Sequence, residues 1–344
     1  MASQTKVKQR RIVLIGVLIS VLSLGYTLSV IHWSELGLAL AQANYLWLIP
    51  SFLIIFGVSW ARGYRWRLLM YPDLHVPLRR MYHFVNIGYL YNNILPAKAG
   101  EVIRAYLAGR EIAGGLGQAL SSLLIERLLD VLCAVVIMLI LLPLTPLPSW
   151  LRLGGLVFGG VAVAAAIVLW VLSRFGERGV DWLWRWVGRI PVIGGPKVEQ
   201  LVRNLVEGFG VLANWRVIPG VLLGSVLVWG GYALLNYVVL LAFPNMARSA
   251  LATTTGLVAS AFGMVVPSSP GALGVFEAAV IEGMAVFGYS RSAASIYALV
   301  LHLFTNIVLI LLGLISLVAE GVRFAQLREQ AQPLADSPNP PAGA

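Results

Sequence analysis

Six long apolar runs constrain this chain more than any other feature. A helix needs about 20 apolar residues to cross a hydrocarbon core about 30 Å thick. Runs of this kind cover residues 12–31, 45–61, 118–142, 153–173, 217–242 and 292–319. Only 12% of the 344 residues are charged, whereas soluble domains carry about 25%. The sequence therefore predicts an all-α polytopic membrane protein with about six full spans.

Lysine and arginine fall unevenly around these runs. If the N-terminus is cytoplasmic and each run crosses once, most basic residues lie on the inner side, including Arg62 and Arg65, and the outer loops keep only three arginines. Cytoplasmic loops of membrane proteins are enriched in these residues. We therefore predict a multi-pass protein of the bacterial or archaeal cytoplasmic (inner) membrane, with both termini in the cytoplasm.

The same pattern predicts the domain organisation. Residues 1–11 form a basic N-terminus that is retained ahead of the first span, and 12–325 form one transmembrane domain. Tryptophans and arginines in 174–216 indicate amphipathic helices at the inner interface, and 326–344 has the composition of a disordered tail. The net charge of +10 attracts anionic lipid headgroups. No aromatic–basic module accompanies that charge, so we expect no nucleic-acid partner.

Two further apolar regions, 82–110 and 250–290, are interrupted by proline, glycine and polar residues. A Pro-x-x-x-Gly motif begins at Pro96 in the first region and, 171 residues later, at Pro267 in the second. The same shift moves the second and third apolar runs onto the fifth and sixth. Span, broken region and span thus occur twice, from opposite sides, which is the inverted repeat typical of transporters. The alternative is chance alignment of hydrophobic runs. The two predicted copies cover about 45–142 and 217–319.

The broken regions contain residues that end helices. Proline lacks a backbone donor, and unpaired backbone groups are tolerated at membrane depth only inside protein or beside a watery cavity. We therefore predict two re-entrant helical hairpins, each with a helix that starts just after its tip. Such a start presents free N–H groups and partial positive charge, which suit a phosphate. The candidate substrate-binding residues around the tips are Asn92, Asn93, Lys98, Gly100, Glu101, Arg104, Ser268, Ser269, Gly271 and Glu277.

Each candidate also has a purely structural explanation. Lys98 contacts a phosphate, or it is a lysine that reaches the interface. Glu101 and Arg104 share a helix face, so they contact a ligand or pair with each other. Glu277 binds substrate, or it stabilises the helix start beside it. The two asparagines line a polar cavity, or they satisfy the broken backbone.

A third group of ionisable residues, Glu126, Arg127 and Asp130, lies within the apolar run 118–142. Glu126 and Asp130 share a helix face, and Arg127 reaches Asp130 at a spacing of three. Charges at membrane depth are costly and usually face the interior of the bundle. We therefore predict an intramembrane charge cluster that faces the interior. It is either a structural ion-pair network or part of a pathway for protons or headgroups.

Three segments resemble one known family: "NNILPAKAGEVIRAYLAGR", "LLIERLLD" and "PSSPGALGVFEAAVIEGMAVFG". They resemble the flippase-like membrane family, also called the lysylphosphatidylglycerol synthase transmembrane family. It includes the N-terminal translocase part of the bacterial multiple peptide resistance factor. The resemblance covers about 10–325 and implies an inner-membrane protein linked to moving lipids or glycolipids between leaflets. That factor also carries a soluble C-terminal aminoacyltransferase domain. This chain ends soon after its last span, so we expect that it does not itself attach lysine to phosphatidylglycerol.

Together these features predict a translocase for an anionic, phosphate-bearing lipid, either a membrane phospholipid or a polyprenyl-linked glycolipid. We expect no chemical catalysis and no cofactor or metal, because the sequence has no nucleotide-binding loop and no metal-ligand spacing. Movement is either downhill exchange or coupled to an ion through acids such as Glu126 and Asp130. The alternative is a non-catalytic membrane partner of a separately encoded lipid-modifying enzyme or glycosyltransferase.

Overall fold

The computed structural model describes residues 21–95, 98–175, 208–265 and 270–321, together with 181, 185, 199, 203 and 204. All regular secondary structure in these residues is helical. Several of the predictions above concern residues that the structure does not describe. These residues are 1–11, Pro96, Pro267, Ser268, Ser269, most of 174–216, and 326–344.

Eleven α-helices occur in the described part of the chain, numbered here in chain order. They are α1 (21–29), α2 (Trp33–Gln42), α3 (Leu48–Leu69), α4 (Leu78–Ile94), α5 (Ala99–Gly109), α6 (Gly115–Leu141), α7 (Ser149–Phe175), α8 (Ile218–Leu240), α9 (Ala250–Gly263), α10 (Val275–Ala285) and α11 (Arg291–Ala319). Short 3₁₀ turns cover Tyr45–Trp47, Phe209–Ala213 and Pro270–Ala272.

Four segments of the described chain are long and apolar enough to cross a membrane. They are Tyr45–Leu69, Ser149–Val171, Ile218–Leu240 and Arg291–Ala319. Helix α6 has 27 residues, about 40 Å at 1.5 Å per residue, but it carries Glu126, Arg127 and Asp130. The protein is therefore a multi-pass membrane protein, and its described residues form only helices and connecting turns. Of the first apolar run, 12–31, only the part from residue 21 is described, and it is helical to residue 29.

Helix α3 continues beyond the end of the apolar run 45–61, up to Leu69. Trp66 and Leu69 are buried in the bundle, so burial of their side chains stabilises this extra length of helix. Arg62 and Arg65 lie within this part of α3 and are buried too. The expectation that these two arginines belong to an inner loop is therefore wrong.

Contacts between helix termini define two ends of the bundle. At one end, Arg80 near the start of α4 pairs with Glu320, just after α11, at 3.0 Å. At the other, the Asn44 N–H, just before α3, donates to the Ala242 carbonyl, just after α8, at 2.8 Å. We call these the Arg80 end and the Asn44 end. Helices α3 and α11 run from the Asn44 end to the Arg80 end.

Helices α4 and α5 form the first hairpin. Leu95 is extended, with φ −101° and ψ 144°, because a residue before proline is driven out of the helical region. Lys98 then adopts a left-handed conformation with φ 55°, and α5 runs back antiparallel to α4. The helices meet closely where Gly100 of α5 packs on Gly88 of α4. This hairpin begins and ends at the Arg80 end, since both Arg80 and Glu111, just after α5, lie there and pair at 2.6 Å.

Helices α9 and α10 form the second hairpin, which begins and ends at the Asn44 end. Ser249 caps α9 by accepting a hydrogen bond from the Ala252 N–H at 3.1 Å. The tip of this second hairpin contains Gly271 at φ 69° and Gly274 at φ 84°, and glycine adopts such backbone conformations without steric cost. The tips of the two hairpins approach each other: a Cβ atom added to Gly271 would lie 3.4 Å from Asn93 Oδ1 in α4.

Candidate functional site

A buried charge network lies between helices α3, α5 and α6. Helix α3 contributes Arg62 and Arg65, α5 contributes Arg104, and α6 contributes Glu126 and Asp130. All five residues are buried. Glu126 and Asp130 therefore lie inside the bundle, whereas Arg127, which was predicted to face the interior with them, has a side chain that is 39% exposed. The physical reason for the burial of the two acids is the high cost of placing an ionised carboxylate against lipid.

Glu126 is the centre of this network. Its Oε1 atom accepts hydrogen bonds from Arg62 Nη1 at 2.7 Å and from Arg65 Nη2 at 3.3 Å. Its Oε2 atom accepts one from Arg104 Nη2 at 2.9 Å. A single fully buried carboxylate thus holds three guanidinium groups that come from two different helices, so it ties α3 and α5 to α6.

Asp130 completes the network one turn further along α6. Its Oδ1 atom accepts from Arg65 Nη2 at 2.7 Å and from Trp229 Nε1 of α8 at 3.3 Å. Its Oδ2 atom accepts from Arg62 Nη2 at 3.2 Å. Helix α8 is therefore tied to the same group of charges.

Aromatic rings surround the arginines. The Arg62 guanidinium lies 5.8 Å from the centre of the Tyr89 ring and 5.6 Å from that of Tyr232, and its Nε donates to Tyr232 Oη at 2.9 Å. Arg104 lies 4.9 Å above the Trp66 ring. Such cation–π contacts stabilise a cation most where water is excluded.

The network has an open edge formed by Arg127, Glu101 and Lys98. Arg127 Nη2 pairs with Glu101 Oε1 at 3.0 Å, and these side chains are 39% and 21% exposed. Arg127 Nη1 also lies 3.7 Å from Asp130 Oδ2, the contact that the spacing of three predicts. Lys98 is exposed at the start of α5, with no ion-pair partner among the described residues. This edge is where a ligand can reach the network.

The charges at this site do not balance. The buried network has three arginines and two carboxylates, which leaves one excess positive charge. The open edge has Lys98 and Arg127 against Glu101, which leaves one more. The described residues of the site thus carry an excess of two positive charges. An anion is the ligand that such a site favours.

Arg62 and Arg65 are functional candidates that the sequence reasoning missed. The positive-inside pattern assigned them to a loop because they follow the end of an apolar run. Two signals indicated otherwise. The apolar and aromatic residues continue to Leu69, and the two acids of α6 need more buried cations than Arg127 alone supplies.

The candidate residues that the sequence predicted around the first tip make different kinds of contact. Glu101 and Arg104 do not pair with each other: the first holds Arg127 and the second holds Glu126. Gly100 is a packing residue against α4. Asn93 Nδ2 donates back to the Tyr89 carbonyl at 3.0 Å, as expected for an amide that satisfies local backbone.

Asn92 differs from its neighbour. Its Oδ1 atom is buried and has no hydrogen-bond partner in the described part of the chain. It faces Gly100, since a Cβ atom added there would lie 2.7 Å from this oxygen. A buried acceptor without a partner is costly, so a hydrogen bond from a ligand or from water would stabilise this oxygen.

Glu277 lies away from the charge network, in the second hairpin. Its Oε2 atom accepts a hydrogen bond from the Gly274 N–H at 2.7 Å, which is the stabilised helix start that the sequence offered as an alternative. Its Oε1 atom lies 2.7 Å from His302 Nδ1 of α11. Sequence spacing could not predict this second contact, because the two residues belong to different helices. In the described residues, no three His, Cys, Asp or Glu side chains stand together as a metal site.

Helices of membrane-spanning length that enclose a buried ionic network define an integral membrane protein with its polar site inside the bundle. The chain belongs to the family described as the lysylphosphatidylglycerol synthase TM region, whose model matches residues 13–313. The resemblance predicted from the three sequence segments is thereby confirmed.

Two curated proteins are similar to this chain. A "UPF0104 membrane protein" of Methanothermobacter thermautotrophicus is 22% identical, over 81% of this chain and 87% of that protein. "Glycosyltransferase AglD" of Haloferax volcanii is 28% identical, over 96% of this chain, but the match covers 59% of that protein's length. No solved structure matches the chain.

Proposed function

We propose that this protein moves an anionic, phosphate-bearing lipid or lipid-linked glycan between the leaflets of the membrane and performs no covalent chemistry. The observation that carries this proposal is the excess of two positive charges at a site enclosed by membrane-length helices. Family membership and the relatives support a role in lipid or glycolipid metabolism.

Excess charge in a low-dielectric interior is costly unless a counter-ion is present. A lipid phosphate supplies the opposite charge and several acceptor oxygens, which arginine and lysine bind through charge-assisted hydrogen bonds. The phosphate enters at the open edge, beside Lys98 and Arg127, and the acyl chains remain in the hydrocarbon outside the bundle.

The arrangement of helices supports an inverted repeat. Shifting α3 by 171 residues gives 219–240, against the observed Ile218–Leu240 of α8. Shifting α4 gives 249–265, against Ala250–Gly263 of α9. The first hairpin starts and ends at the Arg80 end, and the second at the Asn44 end.

In this proposal the first apolar run, 12–31, and helices α3, α6, α7, α8 and α11 are six full spans, and the two hairpins are re-entrant. Helix α4 has 17 residues, about 25 Å at 1.5 Å per residue, so the first tip reaches past the middle of the membrane. The repeat halves are about 45–142 and 217–319. Substrate sites of such transporters lie near the midplane where the two repeats meet, and here the two tips meet at Asn93 and Gly271.

A second candidate function is a non-catalytic partner of a separate lipid-modifying enzyme or glycosyltransferase. The relative named as a glycosyltransferase favours it, because this chain matches only 59% of that protein. The two functions differ in one measurement. The purified protein alone moves lipid across a vesicle membrane if it is a translocase, and it does so only with the enzyme present if it is a partner.

We expect the Arg80 end to face the cytoplasm of the inner membrane, together with both termini. Single cysteines replacing His75, near the Arg80 end, and Pro146, between α6 and α7, test this in a Cys133→Ser background; both positions are exposed. In intact cells a membrane-impermeant thiol reagent should label the Pro146→Cys protein and spare the His75→Cys protein. Labelling of both from outside would contradict the proposed orientation.

Lys98→Ala is the direct test of headgroup binding. We expect about ten- to a hundredfold weaker binding of the lipid, since a charge-assisted hydrogen bond contributes about 1.5–3 kcal/mol and about 1.4 kcal/mol is a factor of ten. The assay is flipping of fluorescent phosphatidylglycerol, or of a labelled polyprenyl-phosphate sugar, in vesicles that contain the purified protein.

Two controls accompany this variant. Lys98→Arg keeps the charge and should retain most of the transport. Arg110→Ala removes an exposed cation at the other end of α5 and should leave transport unchanged. If Lys98→Ala transports either lipid as well as the unmodified protein, Lys98 is only an interface residue.

A further inference from the structure

The Glu277–His302 pair is a second buried ionisable site, and it differs from the charge network. Glu277 is fully buried, and the His302 side chain is 8% exposed. The Phe276 ring stacks on the imidazole, with 4.4 Å between ring centres. Whereas Glu126 contacts three arginines, Glu277 contacts one titratable side chain among the described residues, the imidazole of His302.

The elements packed around the pair carry other ionisable side chains. Helix α9 and the Pro270–Ala272 turn have none. Within the described residues, none of the others forms an ion pair with Glu277 or His302. They are Glu282 on α10, Arg291 and Tyr297 on α11, Glu35 on α2, Arg62, Tyr64, Arg65 and Arg67 on α3, Arg79, Arg80, Tyr82, His83, Tyr89 and Tyr91 on α4, and Tyr232 and Tyr237 on α8.

This pair is also connected to the second tip. The Gly274 N–H, at the end of the tip, donates to Glu277 Oε2 at 2.7 Å. Gly271, three residues earlier, packs beside Asn93 of the first hairpin. A change of charge on His302, which is bonded to Glu277, therefore alters the hydrogen bond by which Glu277 holds the second tip where it touches the first.

We propose that Glu277 and His302 form a proton-binding site that sets the conformation of the second tip and couples lipid movement to protons. This inference rests on the proposed translocase function. It moves the ion-coupling role away from Glu126 and Asp130, because arginine side chains already hold both carboxylates in buried ion pairs.

Each component of the pair has a defined part in binding the proton. With Glu277 ionised and Nδ1–H of a neutral His302 donating to it, an incoming proton adds to His302 Nε2 and forms an N–H bond there. The pair then changes from a net charge of −1 to zero, with no other bond broken. The His302 side chain is 8% exposed whereas that of Glu277 is fully buried, so the proton reaches the site through the imidazole. The ring of Phe276 stabilises the imidazolium.

The test measures the second tip directly, without lipid transport. Spin labels on cysteines at Ala272, in the tip, and at Leu46, exposed near the Asn44 end, are placed in a Cys133→Ser background. Distance distributions are recorded in nanodiscs at about pH 5 and about pH 8, on either side of the range in which imidazoles commonly change charge. We expect two distances whose population ratio changes by about 5- to 150-fold, the usual range for coupled sites.

Two variants assign the effect to this pair. Glu277→Gln can keep both hydrogen bonds, by accepting from Gly274 and donating to His302, so it should fold normally and show one distribution at both pH values. Glu282→Gln changes the other acid of the same helix, which pairs with Arg291 near the Asn44 end, and should respond to pH like the parent. Identical distributions at the two pH values in the parent, or an unchanged response in Glu277→Gln, would overturn the proposal.

Transport then separates this inference from the proposed function. In vesicles of phosphatidylethanolamine and phosphatidylglycerol, an imposed pH gradient should accelerate flipping by the parent protein but not by Glu277→Gln. Equal flipping by the parent with and without the gradient would refute proton coupling and leave the translocase function standing. Complete absence of flipping would instead count against the translocase function, and the distance measurement would still decide whether the pair binds protons.

Discussion

Replacing Glu126 with glutamine should lower the free energy of unfolding by about 3–5 kcal/mol, the usual cost of breaking a buried ion pair by removal of one partner. Among the described residues, Arg104 joins the network only through Glu126, which also shares Arg62 and Arg65 with Asp130. Without its charge, three buried arginines face a single carboxylate. The expected loss is a large part of the stability of an ordinary domain.

Thermal unfolding of the purified protein in detergent measures this loss as a lower midpoint temperature. Glu101→Gln is the matched control, because it makes the same chemical change at an acid with one partly exposed partner, Arg127. Pairs of that kind contribute about 0–1 kcal/mol, so the control should unfold near the parent. Equal midpoints for the parent and for Glu126→Gln would mean that water reaches the network and that it is not a structural core.

Gly100→Ala should separate the two helices of the first hairpin. The added Cβ would fall well inside van der Waals contact of the Gly88 carbonyl oxygen, and it would lie 2.7 Å from Asn92 Oδ1 and 2.8 Å from Asn92 N. Two of these three atoms belong to the backbone, so a side-chain rotation cannot relieve the clash with them. Overpacking of this kind costs about 1–3 kcal/mol, sometimes more, and we expect the upper end of that range.

Thermal unfolding and lipid flipping together test this prediction. Gly57→Ala in α3 is the control, since a Cβ atom there meets nothing within 4 Å. It should be neutral or stabilise the helix by up to about 1 kcal/mol. If Gly100→Ala matches Gly57→Ala in both measurements, α4 and α5 are not packed as closely as described, and the position of Lys98 relative to Arg127 would have to be revised.

The two hairpins are held in place by different contacts. The first hairpin is held to α6 by Arg104 and Glu126, a contact inside a closed ionic network, so its position is fixed. The second is held at its tip by Glu277, which is paired with His302. In the proposed mechanism a proton-driven change starts in the second hairpin and reaches the first through the contact between Asn93 and Gly271.

Several features followed from the sequence because their causes are local. Runs of about 20 apolar residues require helices in lipid, and helices occupy the described parts of all six. A residue before proline leaves the helical region, and α4 ends at Ile94, two residues before Pro96. Burial of Glu126 and Asp130 followed from the cost of a charge in hydrocarbon. The family was identified from segments that lie around these same features.

The partners of each charge could only be decided by the tertiary structure. Spacing along one helix predicted the Arg127–Asp130 contact, but it could not indicate that Glu101 pairs with Arg127 and that Arg104 pairs with Glu126. Spacing along one helix also could not predict that Arg62 and Arg65 contact α6, or that His302 contacts Glu277. These contacts depend on which faces of different helices meet, and on how far each helix slides along its neighbour. The sequence thus determined the helices, their breaks and the need to bury certain charges. The packing of α3, α5 and α6 decided which arginines meet those charges, because a salt bridge forms only where two side chains come within about 4 Å, a distance that helix packing sets.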